Sequence, residues 1–259
     1  MERDDREAVI RTVRRAIDRG MGHIDTAEIY GQGVVEEILG EAIAGYRAEV
    51  FLASKVHPDH ATYAGTLLAC EKSLRRLRTD RLDLYLLHWR GTQPLEETIR
   101  ALTTLKKDGK IRAWGVSNFD VTDLEEAIAI AGEGAIACNQ VLYNLLERDV
   151  EHVLQAFCER HRIALVAYSP LGSGQFPRAG SWRGDVLAGI AAAHGVSPKA
   201  VALRFLARRP GSFVIPKTAR ADHLDELAKA GDITLTAEDI ATIDDAFPLG
   251  PPKSKMPYV

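Results

Sequence analysis

An α/β fold whose parallel strands close into a barrel is what this sequence predicts, and three observations predict it. Short apolar or β-branched runs alternate with amphipathic helical stretches at a repeat of roughly thirty residues, the strand-then-helix period of a parallel sheet with right-handed crossovers. The strand runs read as apolar on both faces, as in sheets covered by helices. A length of 259 residues with no Pro/Ser/Gly-rich break suits one barrel domain over residues 1–259. The competing open, doubly wound sheet would carry a Gly-rich turn between its first strand and helix. The loose match Gly132-Glu133-Gly134-Ala135-Ile136-Ala137 precedes a strand instead of following one. The expected architecture is therefore a (β/α)8 TIM barrel.

A first helix puts Val9, Val13 and Ile17 on one face and ends by Gly20. The strand His23 to Asp25 follows and runs into a polar loop that must bend at Gly31-Gln32-Gly33. A second helix with Val35, Ile38 and Leu39 leads to the strand Val50 to Lys55. A third, with Cys70, Leu74 and Leu77 at helical spacing, precedes the strand Leu82 to His88. Pro94 in the first turn and Gly109 past the last delimit a fourth helix, ahead of the strand Ala113 to Ser117. The fifth helix is expected to open on a capping box of Thr122 and Glu125, before a strand Ile136 to Gln140. Val150, Val153, Leu154 and Phe157 mark the sixth helix, and Ile163 to Tyr168 the next strand. Two helices follow, the second opening at Ser197-Pro198, and then the strand Phe213 to Lys217. Helices from Ala221 and Thr236 lead to a Pro-rich tail.

Composition narrows the function. With 46% apolar and 27% charged residues and a formal net charge of -3, the chain has the make-up of an ordinary soluble globular protein. Arginines such as Arg11, Arg14 and Arg15 lie scattered on helix faces and make no basic field for nucleic acid. No apolar run is long enough to span a bilayer, and Met-Glu-Arg-Asp-Asp is the opposite of a signal peptide, so a cytoplasmic location is expected. Cys70, Cys138 and Cys158 are too few and scattered for a disulfide framework, which fits a reducing compartment. His57-Pro58-Asp59-His60 and Cys158 with His161 look like fragments of metal sites, yet no complete ligand set assembles and no metal is expected. Trp114 and Phe119 read as core.

In a barrel, functional groups gather at the carboxyl ends of the strands. Asp25, Tyr30, Lys55 and His88 all lie at such ends or in the loops just beyond, so they are expected to converge at one mouth. Taken singly, Asp25 caps a turn and Tyr30 packs on a helix. Together, an acid, a phenol, an ammonium and an imidazole suit the delivery of a proton to an oxygen gaining negative charge. Tyrosine alone is a poor acid, with a reference pKa of about 10. A lysine cation beside it favours the phenolate, Asp25 would hold that lysine charged, and His88 could orient the substrate oxygen. No side chain supplies hydride, so carbonyl reduction by such a group needs a nicotinamide.

Further motifs recur in order along nearly the whole chain. They are Asp25-Thr26-Ala27-Glu28-Ile29-Tyr30, Lys55 after its strand, Leu87-His88-Trp89, Gly115-Val116-Ser117-Asn118-Phe119, Gln140 with Tyr143-Asn144, Tyr168-Ser169-Pro170-Leu171-Gly172 and Ile215-Pro216-Lys217-Thr218. The set resembles the aldo/keto reductases. That resemblance implies a TIM barrel reducing small aldehydes or ketones with NADPH, with NADH as the alternative, through an Asp, Tyr, Lys and His tetrad. It implies Tyr30 as proton donor, Lys55 and Asp25 as its tuning pair and His88 as the group that positions the carbonyl. Ser117, Asn118 and Gln140 would hold the nicotinamide carboxamide and Tyr168 would stack on its ring. Ser169 and Leu171 would line the pyrophosphate tunnel, and Lys217 and Thr218 would meet the 2′-phosphate. Where many members carry an adenine-side Arg this sequence has His223, and their Asn falls on Leu227. A short tail after Phe247 leaves little material for a loop over the pocket, so a roomy site with Trp89 as one apolar wall is expected.

By the same resemblance the sequence opens with the helix that follows the family's first strand, so seven strands are expected and the barrel lacks its first. The strands ending at Asp25 and Lys217 would then be edges, left open or covered by another chain or by the tail. A monomer is expected unless another chain covers them, and a misplaced start would account for the gap. The rival readings are a non-catalytic nucleotide-binding regulatory subunit, as in the potassium channel beta subunits that share the family fold, and an inactive truncated barrel. The intact tetrad favours catalysis.

Overall fold

The computed structural model describes residues 3–218, 221–253 and 256–258, without the side chains of residues 3–5 and 221–223. Among them seven parallel strands form one sheet in sequence order: β1 (His23–Asp25), β2 (Phe51–Val56), β3 (Leu82–Leu87), β4 (Ile111–Ser117), β5 (Cys138–Leu142), β6 (Ala164–Tyr168) and β7 (Ser212–Ile215). Helices α1 (Arg3–Asp18), α2 (Val34–Ala42), α3 (Tyr63–Leu77), α4 (Leu95–Lys107), α5 (Val121–Ala131) and α6 (Leu154–Arg160) alternate with the first six strands. Then α7 (Trp182–His194) and α8 (Pro198–Leu206) precede β7, and α9 (Ala221–Ala228) and α10 (Ala237–Ala246) follow it. This is the strand order of a (β/α)8 barrel lacking one strand. No single helix is long and apolar enough to cross a membrane.

The chain divides into two compact units, Met1–Asn139 and Gln140–Val259. In the first, the parallel ladders pair Asp25 with Ala53, Lys55 with Leu86 and Leu87 with Val116, so the strands end close to one level. In the second, Tyr168 pairs with Ile215. β3 is buried at every position, as expected of a strand covered on both faces, whereas β1 and β7 expose residues such as His23 and Phe213. The expectation of two buried faces fails for these two because each ends the sheet and has a ladder neighbour on one side only.

Local signals explain most boundaries. Thr62, Ser181, Ser197 and Thr236 each cap a helix by accepting a backbone N–H three residues on. The capping box of α5 is formed by Asp120 and Asp123, not by Thr122 and Glu125. Asp120 lies where the chain is still extended and can turn its carboxylate onto the Asp123 N–H at 2.9 Å, whereas Thr122 is already inside the helix. β5 runs two residues later than Ile136 to Gln140, because Gly132 and Gly134, both at positive φ, delay the entry into the ladder. Gly115 in β4 is obligatory, since a Cβ there would lie 2.5 Å from the Cys138 carbonyl oxygen.

Buried polar contacts tie the strands to the helices. In the first unit Glu36 of α2 accepts from Ser54 Oγ at 2.6 Å and from Arg76 Nε of α3 at 2.7 Å. Asp83 accepts the Leu52 N–H at 2.9 Å and pairs with Arg47 and Arg112. In the second unit Glu151 binds Arg148, Arg208 and the Tyr143 hydroxyl, which fixes the segment after β5. The tail is held there too, Lys253 bonding to Asp149 and Glu147. No disulfide joins the cysteines among the described residues, and burial pushes the Cys70 and Cys158 thiols up to about 12.

Candidate active site

Lys55 is the centre of the site. It lies inside β2 with its side chain 0% exposed, and a buried ammonium is costly unless it is paired and hydrogen-bonded. Asp25, at the end of β1, accepts from it through Oδ1, and the Thr26 carbonyl accepts at 2.8 Å. The same ammonium sits over the Tyr30 ring, 5.4 Å from its centroid.

Tyr30 is brought there by an unusual turn. Gly31, Gln32 and Gly33 follow it with φ of 55°, 54° and 94°, a left-handed run that reverses the chain before α2. Only glycine adopts this region without strain, so Gln32 is held at a cost of about 1 kcal/mol. Gly33 has a second constraint, because a Cβ would lie 2.7 Å from Cδ of Arg76. Tyr30 itself is left 39% exposed, open to a ligand.

His88 follows β3 and turns its ring edge-on to Tyr30, with centroids 5.8 Å apart and planes at 79°. Burial, and then the Lys55 cation, push its pKa down to about 4, so the imidazole is neutral at physiological pH. Its buried Nδ1 has no partner among the described residues. Trp89 lies against His88 at 4.7 Å between centroids. Beyond β4, Asn118 adopts φ of 60° and donates through Nδ2 to the His88 carbonyl at 3.2 Å and to Ser117 Oγ at 3.1 Å. The first unit thus brings Asp25, Tyr30, Lys55, His88 and Trp89 together, with Ser117 and Asn118 alongside.

The low pKa of His88 has a consequence for stability. Unfolded, the imidazole binds a proton near its ordinary pKa of about 6.5; folded, it does so only at about 4. Between these values the unfolded chain holds the extra proton, so stability falls as pH drops from about 6.5 towards 4. His23, its pKa lowered chiefly by burial, acts in the same direction. Thermal unfolding at about pH 7 and about pH 5 should therefore show a smaller loss in His88→Gln than in the wild type. An identical loss in both would contradict a buried neutral His88.

The second unit carries the remaining expected residues. Gln140 in β5 is buried, and Tyr168 ends β6 half-buried. After it Ser169, Gly172, Ser173 and Gly174 all have positive φ, with Ser173 Oγ donating to Ser169 Oγ at 3.0 Å. Asn144 Nδ2 holds the Ser169 carbonyl at 3.3 Å, and Leu171 lines a recess with Pro170 and Leu145. Such a left-handed, hydroxyl-bearing turn suits an anion. Lys217 is exposed and Thr218 half-buried beyond β7. The side chain of His223 lies outside the described residues, and Leu227 is buried in the core.

Three contributors are absent from the sequence-based set. The Thr26 carbonyl has no side-chain signature. Asn139 is fully buried and clamps Phe119 by both its N–H and carbonyl, which shapes the Ser117-Asn118 turn; a lone Asn in an apolar strand was the available signal. Glu28 joins the loop after β1 to the loop after β2, accepting the His57 N–H at 2.7 Å. The metal-like fragments are otherwise engaged: His57 packs on Trp89, and His161 stacks on Phe157. Among the described residues no group of three or more His, Cys, Asp or Glu side chains could hold a metal.

The family model for the aldo/keto reductases matches residues 2–247. Among curated relatives, the methylglyoxal reductase YeaE of Escherichia coli is 41% identical over 250 residues, covering 96% of this chain and 87% of that protein. The glyoxal reductase of Bacillus subtilis is 41% identical over 235 residues, 90% of this chain and 81% of its own. The crystal structure of an aldo/keto reductase from Klebsiella pneumoniae in complex with NADP and acetate superposes with a TM-score of 0.93 at 41% identity, covering 100% of this chain and 91% of that one. The chain belongs to the aldo/keto reductase family, the NAD(P)H-dependent oxidoreductases that its motifs resemble.

Proposed function

We propose that this protein reduces small aldehydes and ketones, 2-oxoaldehydes such as methylglyoxal foremost, with hydride from NADPH and a proton from Tyr30. The observation that carries the reading is the buried Lys55 ammonium, bound to Asp25 and lying over the ring of Tyr30, with a neutral His88 at that ring's edge. Asp25 holds the ammonium in place. The ammonium offsets the negative charge that appears on the phenolic oxygen as its proton passes to the carbonyl oxygen. His88, neutral, can hold that oxygen by a hydrogen bond while leaving proton transfer to Tyr30. Trp89 supplies an apolar wall. The preference for 2-oxoaldehydes draws support from the relatives named as methylglyoxal and glyoxal reductases.

The residues present fit a nicotinamide dinucleotide. In the first unit, the tied Ser117-Asn118 turn offers polar groups where a carboxamide is expected. In the second, Gln140, Tyr168, the left-handed turn with Ser169 and Leu171, and Lys217 with Thr218 offer an amide, a flat ring, an anion-holding turn and a cation. Once bound, the reduced nicotinamide would supply the hydride that no side chain can. Consumption of NADPH with a panel of methylglyoxal, glyoxal and simple ketones tests the reading, and no turnover with any of them rejects it.

Lys217→Ala is expected to weaken NADPH binding by about tenfold or more and NADH binding little, because a charge opposite the 2′-phosphate is lost. Fluorescence titration with both cofactors measures this. Equal weakening of the two would assign Lys217 to a shared part of the nucleotide or to structure.

A further inference from the structure

Glu28 lies on the loop that carries Tyr30, with its side chain 9% exposed. Its Oε1 accepts the backbone N–H of His57 at 2.7 Å and lies 3.0 Å from Nδ1 of His60, both on the loop after β2. That second loop is fixed from behind. Thr66 Oγ1 of α3 donates to the His60 carbonyl at 3.3 Å, and Thr98 Oγ1 of α4 donates to the Ala61 carbonyl at 2.6 Å. The loop is also pressed against the one after β3, since a Cβ on Gly91 would come within 2.6 Å of Pro58 Cβ. From there His57 sets its ring edge-on to Trp89, with centroids 4.8 Å apart at 85°, and Trp89 lies against His88. One carboxylate therefore connects the loop bearing the phenol to the ring stack that ends on the imidazole.

We infer that Glu28 is a positioning residue that sets the spacing between Tyr30 and the His88–Trp89 pair, and so selects which carbonyls reach both. The inference rests on the function proposed above. Reacting groups tolerate little displacement: a shift of about 1 Å costs up to ~10²-fold in rate. The effect falls on the carbonyl side. Asn118 is tied to the backbone carbonyl of His88 and to Ser117, so the cofactor's hold is expected to persist without Glu28.

The test compares wild type, Glu28→Ala and Glu28→Gln by steady-state kinetics with methylglyoxal, by NADPH titration and by tryptophan emission, with Trp89→Phe identifying the share of emission from Trp89. Glu28→Ala should raise KM for methylglyoxal about tenfold and lower kcat by a similar factor, leave NADPH affinity within about twofold and shift the Trp89 emission. Glu28→Gln keeps an oxygen that accepts the His57 N–H and should stay within about threefold of wild type in KM. An active wild type whose KM and Trp89 emission survive Glu28→Ala overturns the inference alone. A parallel loss of NADPH affinity and carbonyl KM also overturns it, since that is general loosening. A wild type that reduces no carbonyl overturns both the proposed function and the selective role of Glu28.

Discussion

Tyr30→Phe is expected to lower carbonyl reduction about a thousandfold, within the range of a lost general acid, while NADPH affinity stays within about twofold. The substitution removes one oxygen and keeps the ring. That ring lies under Lys55 at 5.4 Å and edge-on to His88 at 5.8 Å, and phenylalanine can make both contacts. With Tyr30 39% exposed, loss of its hydroxyl leaves no buried group unsatisfied, so the fold should be undisturbed. Steady-state kinetics with methylglyoxal and a fluorescence titration with NADPH separate the two effects. A variant that retains kcat, or that loses NADPH binding in proportion, removes Tyr30 from the role of proton donor.

Glu36→Ala should be the most damaging substitution for stability. Glu36 is fully buried at the start of α2, where it accepts from Ser54 in β2 and pairs with Arg76 in α3 at 2.6 Å. Removing one partner of a buried ion pair leaves the other charge uncompensated, which costs about 3–5 kcal/mol. For a chain of this size that is on the order of 10 °C in Tm. Activity should suffer as well, because the Arg76 stem packs over Gly33 at the end of the left-handed run behind Tyr30. Replacing both partners, Glu36→Ala with Arg76→Met, should be less harmful than Glu36→Ala alone, since no charge is then stranded. A single variant within about 1 kcal/mol of wild type in urea unfolding would show that the pair contributes little.

Much of the architecture was legible. The strands were read from apolar and β-branched runs, and each begins or ends within a few residues of its expected place, because hydrophobic periodicity is a local property of the chain. The placement of Asp25, Lys55 and His88 at strand ends followed from the same runs. The misplaced capping box of α5 shows the limit of local signals. Two acceptable pairs lay two residues apart, and the one that formed was the one whose first residue stayed extended.

What the sequence determined by itself was the alternation of strand and helix, the order of the reductase motifs and the residue types gathered at the strand ends. Tertiary structure alone decided how those groups are tuned. His88 is neutral because burial and the Lys55 charge meet there, Glu28 reaches a loop on another strand, and Glu36 finds Arg76 across α2 and α3. The Lys55–Asp25 contact joins residues 30 apart in sequence and the Glu36–Arg76 contact residues 40 apart. Periodicity and capping act within a few residues along the chain. Desolvation and charge pairing depend on which distant groups the packing brings within a few ångströms, and no local pattern encodes that.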